Sequence, residues 1–512
     1  MKRYIFFLSL CLLLPTAFVF AQPGTLDSSF SSDGLVRTKI GAFGDSWARS
    51  IAIQSDQKII IGGLTYTGSV YDFALVRYNT NGGPDNGFGT NGQVTTSFNG
   101  PGTGIESLLI QANGMIVAGG VSNFGAVMAR YKKNGTLDSS FGIDGKVTSD
   151  FGGNEEGIYS LAFQTDGKII AAGTSDGKFA VARYKQNGTR DSTFGTNGLV
   201  TTSTGNNTTN GGRAVSLQTD GKIVVAGFRY PKNGIHDAVL IRYKKNGEID
   251  SSFGVNGIVI TDLGSANDYY TSVVIRSDGK IITAGAAGGS FQLNFVVAQY
   301  NKKGKLDSGF GTNGFTTTDF STTDDKANSL ALQADGKIVV AGSTESTQVP
   351  SYVKFALARY MQNGILDSTF GTNGQLTTDF GGRDPDGAYA LAIQQDGKIV
   401  GTGRSGIYAA VARYNSDSSN LHFAKTDNLI SQQQTDKSIS LSPNPVKDVL
   451  YLRDMSTNKK NIAIVSENGS TSQHFATENS SFTINTRQLK AGVYFVKIIE
   501  GEKTTTLKFL KE

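Results

Sequence analysis

The chain has 512 residues, with 64 glycines, 30 phenylalanines, one cysteine and three histidines, and a formal net charge of +5 at pH 7. A lone Cys11 excludes a disulfide framework and a cysteine-built zinc site, and three scattered histidines, His236, His422 and His474, leave no multi-histidine metal centre or duplicated histidine triad. Lys2 and Arg3 carry +2, and the ten Lys/Arg against seven Asp/Glu from Ser438 onward carry +3. The body between them is near neutral, so the basic balance is not a nucleic-acid footprint.

Residues 1–21 read as a signal peptide. Lys2 and Arg3 precede an apolar run that ends on Val19-Phe20-Ala21, a small-x-small cleavage pattern. Pro15 and Thr16 interrupt the run, and no transmembrane segment is expected after cleavage.

From residue 22 to 415 the sequence repeats itself. The motif Asp-Ser-x-Phe-Gly-x-x-Gly places its phenylalanine at Phe30, Phe88, Phe141, Phe194, Phe253, Phe310 and Phe370, at intervals of 53 to 60 residues. Each copy continues with a short alternating run (Leu199-Val-Thr-Thr), a variable polar loop, a second run such as Ser329-Leu-Ala-Leu-Gln, and an Asp-Gly-Lys hairpin signal. A β-branched run ending in Ala-Gly and a fourth run ending in Arg-Tyr complete it. Asp-Gly between β-branched runs predicts a type I′ hairpin with both central residues at positive φ. Four strands of period two per copy, without helical periodicity, predict an all-β fold. Seven copies predict a seven-bladed β-propeller of four-stranded blades; a β-solenoid is the competing arrangement. Residues repeated in every copy are expected to solve a packing problem seven times. The arginines before tyrosine (Arg77, Arg130, Arg183, Arg242, Arg359, Arg413, with Gln299 in the fifth copy) are therefore expected to pair with nearby carboxylates, and the phenylalanines and small residues to let blades pack closely. These quoted motifs resemble the delta-60 repeat of secreted bacterial proteins, a resemblance that brings no catalytic residues with it.

Residues 416–437 are polar and read as a linker. Residues 438–512 open on Ser-Pro443-Asn444-Pro445, a turn signal feeding the alternating run Val449-Leu-Tyr-Leu, and close with two strand signals, Ala491-Gly492-Val-Tyr494-Phe-Val-Lys-Ile and Thr504-Thr-Thr-Leu-Lys-Phe-Leu. They predict a small C-terminal β-sandwich. The segment is similar to the type A sorting domain of the type IX secretion system of Bacteroidota, matching it at Pro443, Asn444, Pro445, Gly492 and Tyr494. The resemblance implies the secretion machinery as a partner, passage through the periplasm and across the outer membrane, and a secreted or cell-surface protein.

Alternation of up and down strands puts the uniform Asp-Gly-Lys and Asn-Gly connections on one face and all the variable loops on the other, where ligand-binding residues are expected. Acids are concentrated in the variable first-to-second loops. Asp319, Asp324 and Asp325 in the sixth copy and Asp379, Asp384 and Asp386 in the seventh are the candidate ligand-binding residues. Asp384 and Asp386 are the candidate pair for a calcium ion, although no complete Asp-x-Asp-x-Asp-Gly loop is present. Three functions fit: a binding or adhesion propeller for a glycan or protein, a carbohydrate-active enzyme using paired carboxylates, or a structural surface protein. Paired, non-repeated acids converging on the central channel would favour the enzyme.

Overall fold

The computed structural model describes residues 22–417, apart from 99, 101, 124, 154, 206–207, 233, 290–291, 346–352 and 382–384. It also describes 440–511, apart from 443–447, 454–459, 467–470, 478, 480, 491 and 501–502. The signal-peptide residues, most of the linker, and Asp384, Pro443, Asn444 and Pro445 lie outside the described residues. The chain divides into two compact units, Met1–Asp427 and Asn428–Glu512. Among the described residues no helix is long and apolar enough to cross a membrane.

Seven four-stranded antiparallel sheets form the first unit. In the first blade, β2 (Ser46–Ile53) pairs with β3 (Ile59–Tyr66), β3 with β4 (Tyr71–Tyr78), and β4 with β5 (Gln93–Thr96). The inner strand of each blade touches the inner strand of the next, and that of the seventh blade, Asp386–Ile393, returns to β2, so the ring is closed. The seventh sheet is built from both ends of the sequence. Three of its strands come from residues 386–414, and the fourth is β1 (Leu35–Thr38), which pairs with Tyr408–Tyr414 from Leu35↔Ala412 to Thr38↔Ala409. A sequence repeat therefore straddles two blades: the run after each Asp-Ser-x-Phe motif is the outer strand of the preceding blade.

The aspartate and phenylalanine of the repeated eight-letter motif help to join neighbouring blades. The seven motif phenylalanines are fully buried. Arg183 lies over Phe194 at 4.9 Å, its Nε donates to Asp191 at 2.8 Å, and its Nη1 donates to the Lys245 carbonyl of the next blade at 2.8 Å. Lys168, from the Asp-Gly-Lys hairpin, completes the cluster at 3.0 Å from Asp191. The same arginine–phenylalanine–aspartate clasp recurs at Arg77, Arg130, Arg242, Arg359 and Arg413. In the fifth blade the roles are exchanged. Gln299 donates to Asp307 at 2.9 Å, while Arg276, at a position held by glutamine in the other blades, reaches the Gln362 carbonyl of the next blade at 3.3 Å. The tyrosine after each arginine bonds the end of the preceding blade's outer strand, as Tyr184 does Ser149 at 2.7 Å and Tyr414 does Thr378 at 2.8 Å.

Two local features differ from expectation. In the Asp-Gly-Lys hairpins only the glycine takes positive φ (Gly167, 78°), and Gly167 N bonds Gln164 O, so the connection is a type I turn followed by a glycine bulge. The type I′ geometry sits instead in the Asn-Gly of the eight-letter motif, with Asn197 at 51° and Gly198 at 86°. The repeated glycine of Val-Ala-Gly also does more than let blades approach. A Cβ at Gly173 would lie 1.8 Å from the Gly157 carbonyl of its own inner strand, because a β-bulge there turns that carbonyl inward.

The second unit consists of a three-stranded sheet (Ser440–Ser442, Val449–Arg453, Phe482–Asn485) and a four-stranded sheet (Thr471–Thr477, Lys460–Ser466, Gly492–Glu500, Lys503–Lys511). Leu450, Leu452, Ile484, Ile462, Ile464, Val496, Ile498 and Phe509 pack between them. Gly492 opens the strand that carries Tyr494, whose ring stacks on Phe509 at 5.6 Å.

Candidate functional site

All seven inner strands carry a β-bulge at the same register, which rotates one residue out of the alternating pattern. The bulged residues are Arg49, Glu106, Tyr159, Arg213, Thr271, Asn328 and Tyr389, all half-buried on the strands that line the central axis. Two residues earlier, one step nearer the variable face, stand Trp47, Gly104, Gly157, Gly211, Tyr269, Lys326 and Gly387. The residue after each bulge is Ser or Ala in every blade, yet the bulge ring carries Arg, Glu, Tyr, Thr or Asn, while the second ring is Gly in four blades and Trp, Tyr or Lys in the other three. Packing therefore does not dictate the identity of the bulged residues, as expected of residues facing the channel.

Side chains from several blades converge here. Trp47 stacks against Tyr389 at 6.5 Å with 19° between ring planes, and the guanidiniums of Arg404 and Arg49 lie 4.5 and 5.5 Å from its centroid. Arg49 is ion-paired with Glu106. Burial pushes the Glu106 carboxyl up, against the opposing pull of Arg49 and Arg213. Arg213 in turn lies over Tyr159 at 4.3 Å. Burial and the charge of Asp324 push the Tyr269 hydroxyl up to about 12, so it stays protonated as a donor. Glu106 is the one carboxylate among the fourteen residues of the two rings, so they do not contain the paired acids of a glycoside-hydrolysing centre.

The acidic residues singled out from the sequence take other positions. Asp325 and Asp386 begin inner strands and are buried, with Asp325 accepting the Phe320 amide at 2.7 Å and Asp386 the Phe380 amide at 3.0 Å. Asp268, Glu156 and Asn210 occupy the same register in other blades, where Asp268 accepts the Leu263 amide at 2.7 Å and Glu156 the Phe151 amide at 2.8 Å. These carboxylates hold the loop that enters each blade. Asp324 pairs with Lys326 at 2.8 Å and accepts the Leu293 amide at 3.1 Å. Asp319 and Asp379 are exposed, and Asp379 lies 3.3 Å from Lys354. Asp384, and with it the candidate calcium pair with Asp386, lies outside the described residues. Among the described residues no group of three or more His, Cys, Asp or Glu side chains is placed to hold a metal. His236 is half-buried and packed on Tyr230 at 4.5 Å.

Burial, together with the charge of Asp319, pushes the Asp325 carboxyl up to about 6, against the hydrogen bonds it accepts. The folded state thus holds this proton more tightly than the unfolded chain, where an aspartate titrates near 3.9. Ionised Asp325 opposes folding above pH about 6, and that opposition fades as the pH falls through 6 toward 4. Asp325→Asn, the residue the fourth blade carries as Asn210, is expected to stabilise the chain at pH 8 by on the order of 1 kcal/mol. The gain should vanish near pH 4, as thermal melts at the two pH values would show. A variant less stable than the parent at pH 8 would mean that the loop needs the charge.

Sequence reasoning missed the channel residues Trp47, Tyr159, Tyr269, Tyr389 and Arg404 because it sought variability in loops. For Tyr159 and Tyr389 the available signal was the one variable letter before the recurrent Ser or Ala of each second run; Trp47, Tyr269 and Arg404 carried no such mark.

Six segments, 54–88, 111–141, 164–194, 218–253, 276–310 and 333–370, match the family described as "Domain of unknown function (DUF5122) beta-propeller". The seventh counterpart is divided between the two ends of the repeat region, which explains its absence from the matches. Residues 440–512 match a "Secretion system C-terminal sorting domain". Among curated proteins none matches by sequence. Similar solved structures include a protein of unknown function from Dyadobacter fermentans (13% identity, covering 75% of this chain and 99% of that one, TM-score 0.38). Others are an ulvan lyase of polysaccharide lyase family 25 bound to -[GlcA(1-4)Rha3S]- (12%, 74% and 96%, 0.43) and Drosophila plexin A in complex with semaphorin 1b (9%, 77% and 88%, 0.41). At these scores none of them assigns a ligand or an activity.

Proposed function

We propose that this chain, which carries six matched repeats of a β-propeller domain of unknown function and a secretion system C-terminal sorting domain, is a binding and adhesion propeller that works outside the cell. The sorting domain addresses it to type IX secretion, to the medium or the cell surface. Its ligand is a glycan or protein engaged by the variable face. The observation that carries this reading is the non-repeating bulge ring, with Trp47, Tyr269 and Lys326 beside it, around the channel mouth. A purely structural ring would carry the same small set of packing residues in every blade, whereas Trp47, Tyr389, Arg404, Arg49 and Arg213 form a constellation that occurs once. The exposed Asp319 and Asp379 stand on the same face as rim contacts; Asp325 and Asp386 support the loops that present them.

Retention of the purified full chain on intact cells or on cell-wall material tests the reading. Trp47→Ala is expected to lower retention at least tenfold, since buried aromatic anchors carry much of an interface's energy. Lys244→Ala, in an exposed pair on the opposite face, should leave it unchanged. Equal retention of all three proteins would overturn the channel mouth as the binding site.

A further inference from the structure

We propose that the channel mouth recognises an acidic polysaccharide, with Arg213 and Arg404 holding its carboxylate or sulfate groups and the adjacent aromatic rings packing against its sugars. This rests on the binding reading above and goes beyond it by naming the ligand class.

Charge balance around the channel mouth points to an anion. Arg49 is neutralised by Glu106, and Lys326 by Asp324. Arg404 has no carboxylate partner among the described residues and lies over Trp47, while Arg213 lies over Tyr159 and Phe228 and acts on Glu106 only at longer range, that carboxylate being ion-paired with Arg49. The contrast with the rest of the propeller is informative. Each arginine of the blade-joining clasps is paired with an aspartate, and Arg190, half-buried over Phe151, donates instead to the Asp150 carbonyl. A guanidinium held on an aromatic face keeps its fork of donors free and oriented, the arrangement suited to two-point recognition of a carboxylate or sulfate.

Space at the site comes from a glycine that packing does not require. Gly387 stands opposite Arg404 in the sheet and beside Tyr389. A Cβ there would meet nothing nearer than 3.8 Å, whereas at Gly157 it would meet Val121 at 2.3 Å and at Gly211 Phe228 at 2.5 Å. The first blade carries Trp47 at this very register. The aromatic rings of Tyr389 and Trp47 beside Arg404 suit a sugar, for its apolar faces can lie on aromatic rings while its acid group meets the guanidinium. An acidic peptide would satisfy the arginines but would make less use of four aromatic rings around one opening.

Each test variant borrows a residue that another blade already carries at the same register: Arg213→Thr (as Thr271), Arg404→Ser (as Ser343) and Gly387→Trp (as Trp47). Trp47 is the only tryptophan of the chain, so its emission reports occupancy directly. The full chain would be titrated with polygalacturonate, chondroitin sulfate, neutral dextran and poly-L-glutamate. The expected result is saturable change with one or both acidic polysaccharides, none with dextran, and weakening as salt rises. Loss of one charge-assisted contact should weaken binding about tenfold to a hundredfold in each arginine variant, and Gly387→Trp should block it, with melting temperatures close to the parent's. Response to polygalacturonate alone or to chondroitin sulfate alone tells carboxylate from sulfate. Equal affinity for dextran, undiminished in the arginine variants, would overturn the acidic class while leaving a channel ligand. Poly-L-glutamate binding as tightly as the polysaccharides would replace a glycan by an acidic protein. If no probe binds while Trp47-dependent retention on cells persists, the acidic-glycan inference fails and the binding reading stands; if that retention is also absent, both fail.

Discussion

Asp27→Ala is expected to destabilise the propeller by about 3–5 kcal/mol, the cost of removing one partner from a buried ion pair. Asp27 accepts from Arg413 Nε at 2.7 Å and lies 2.8 Å from Lys398, joining the N-terminal motif to the last strand of the ring. Arg413 is nearly inaccessible, with 4% of its surface exposed, so the variant would leave an uncompensated guanidinium at the closure point. Burial alone would raise the Asp27 carboxyl, but Lys398, Ser29 and Arg413 outweigh it and hold the group down at about 2. Because the folded value lies below the unfolded one, this contribution is complete above pH about 4 and is lost as the pH falls toward 2. Asp307→Ala provides the comparison, for its partners are Gln299 and the more exposed Lys280, and it should cost distinctly less. Urea unfolding followed by the emission of Trp47 reports on the propeller alone. Equal midpoints for the two variants would show that the arginine clasp is not what holds the ring shut.

A chain ending at Asp417 is expected to fold its propeller and remain in the periplasm. Residues 440–512, which carry the match to the sorting domain, would be gone, and the propeller's own motifs serve only to join blades. The end point matters, because Asp417 lies 2.9 Å from Arg359 and 2.7 Å from Lys337, in the place where other blades offer a backbone carbonyl to the preceding arginine. Ending the chain at Asn415 would remove that anchor and confuse an export defect with a folding defect. Fractionation into periplasm, cell surface and medium, with thermal melting of the recovered protein, separates the two. Parent levels of the shortened chain at the surface or in the medium would show that the C-terminal module is not the export signal.

The repeat architecture was legible because its signals are local. Alternation, Asn-Gly turns and a fixed interval specify strands and hairpins, and seven copies leave a closed ring as the arrangement that covers the sheet edges. The arginine–aspartate pairing was legible for the same reason, since both partners recur together. The acidic candidates show where this reasoning stops. Asp325 and Asp386 look like loop acids in the sequence, but each stands at the start of an inner strand, where the nearby amide captures it. A shift of one residue decided between a surface ligand group and a buried clasp, and composition carries no information at that resolution.

By itself the sequence determined the all-β class, the number of blades, the separate C-terminal module and its export address, since each rests on short-range periodicity or on contiguous motifs. Only the tertiary structure decided that the last blade closes with β1 and that seven β-bulges aim one residue each into the channel. It alone brought Tyr389, Trp47, Arg404, Glu106 and Arg213, drawn from blades far apart in the chain, around one opening. The physical reason is that a bulge depends on where a glycine meets the carbonyl of a neighbouring strand, and ring closure depends on contacts between the two ends of the repeat region. The glycine recurs in every copy, but neither the direction in which the bulged side chain points nor the closure contact can be read from that recurrence.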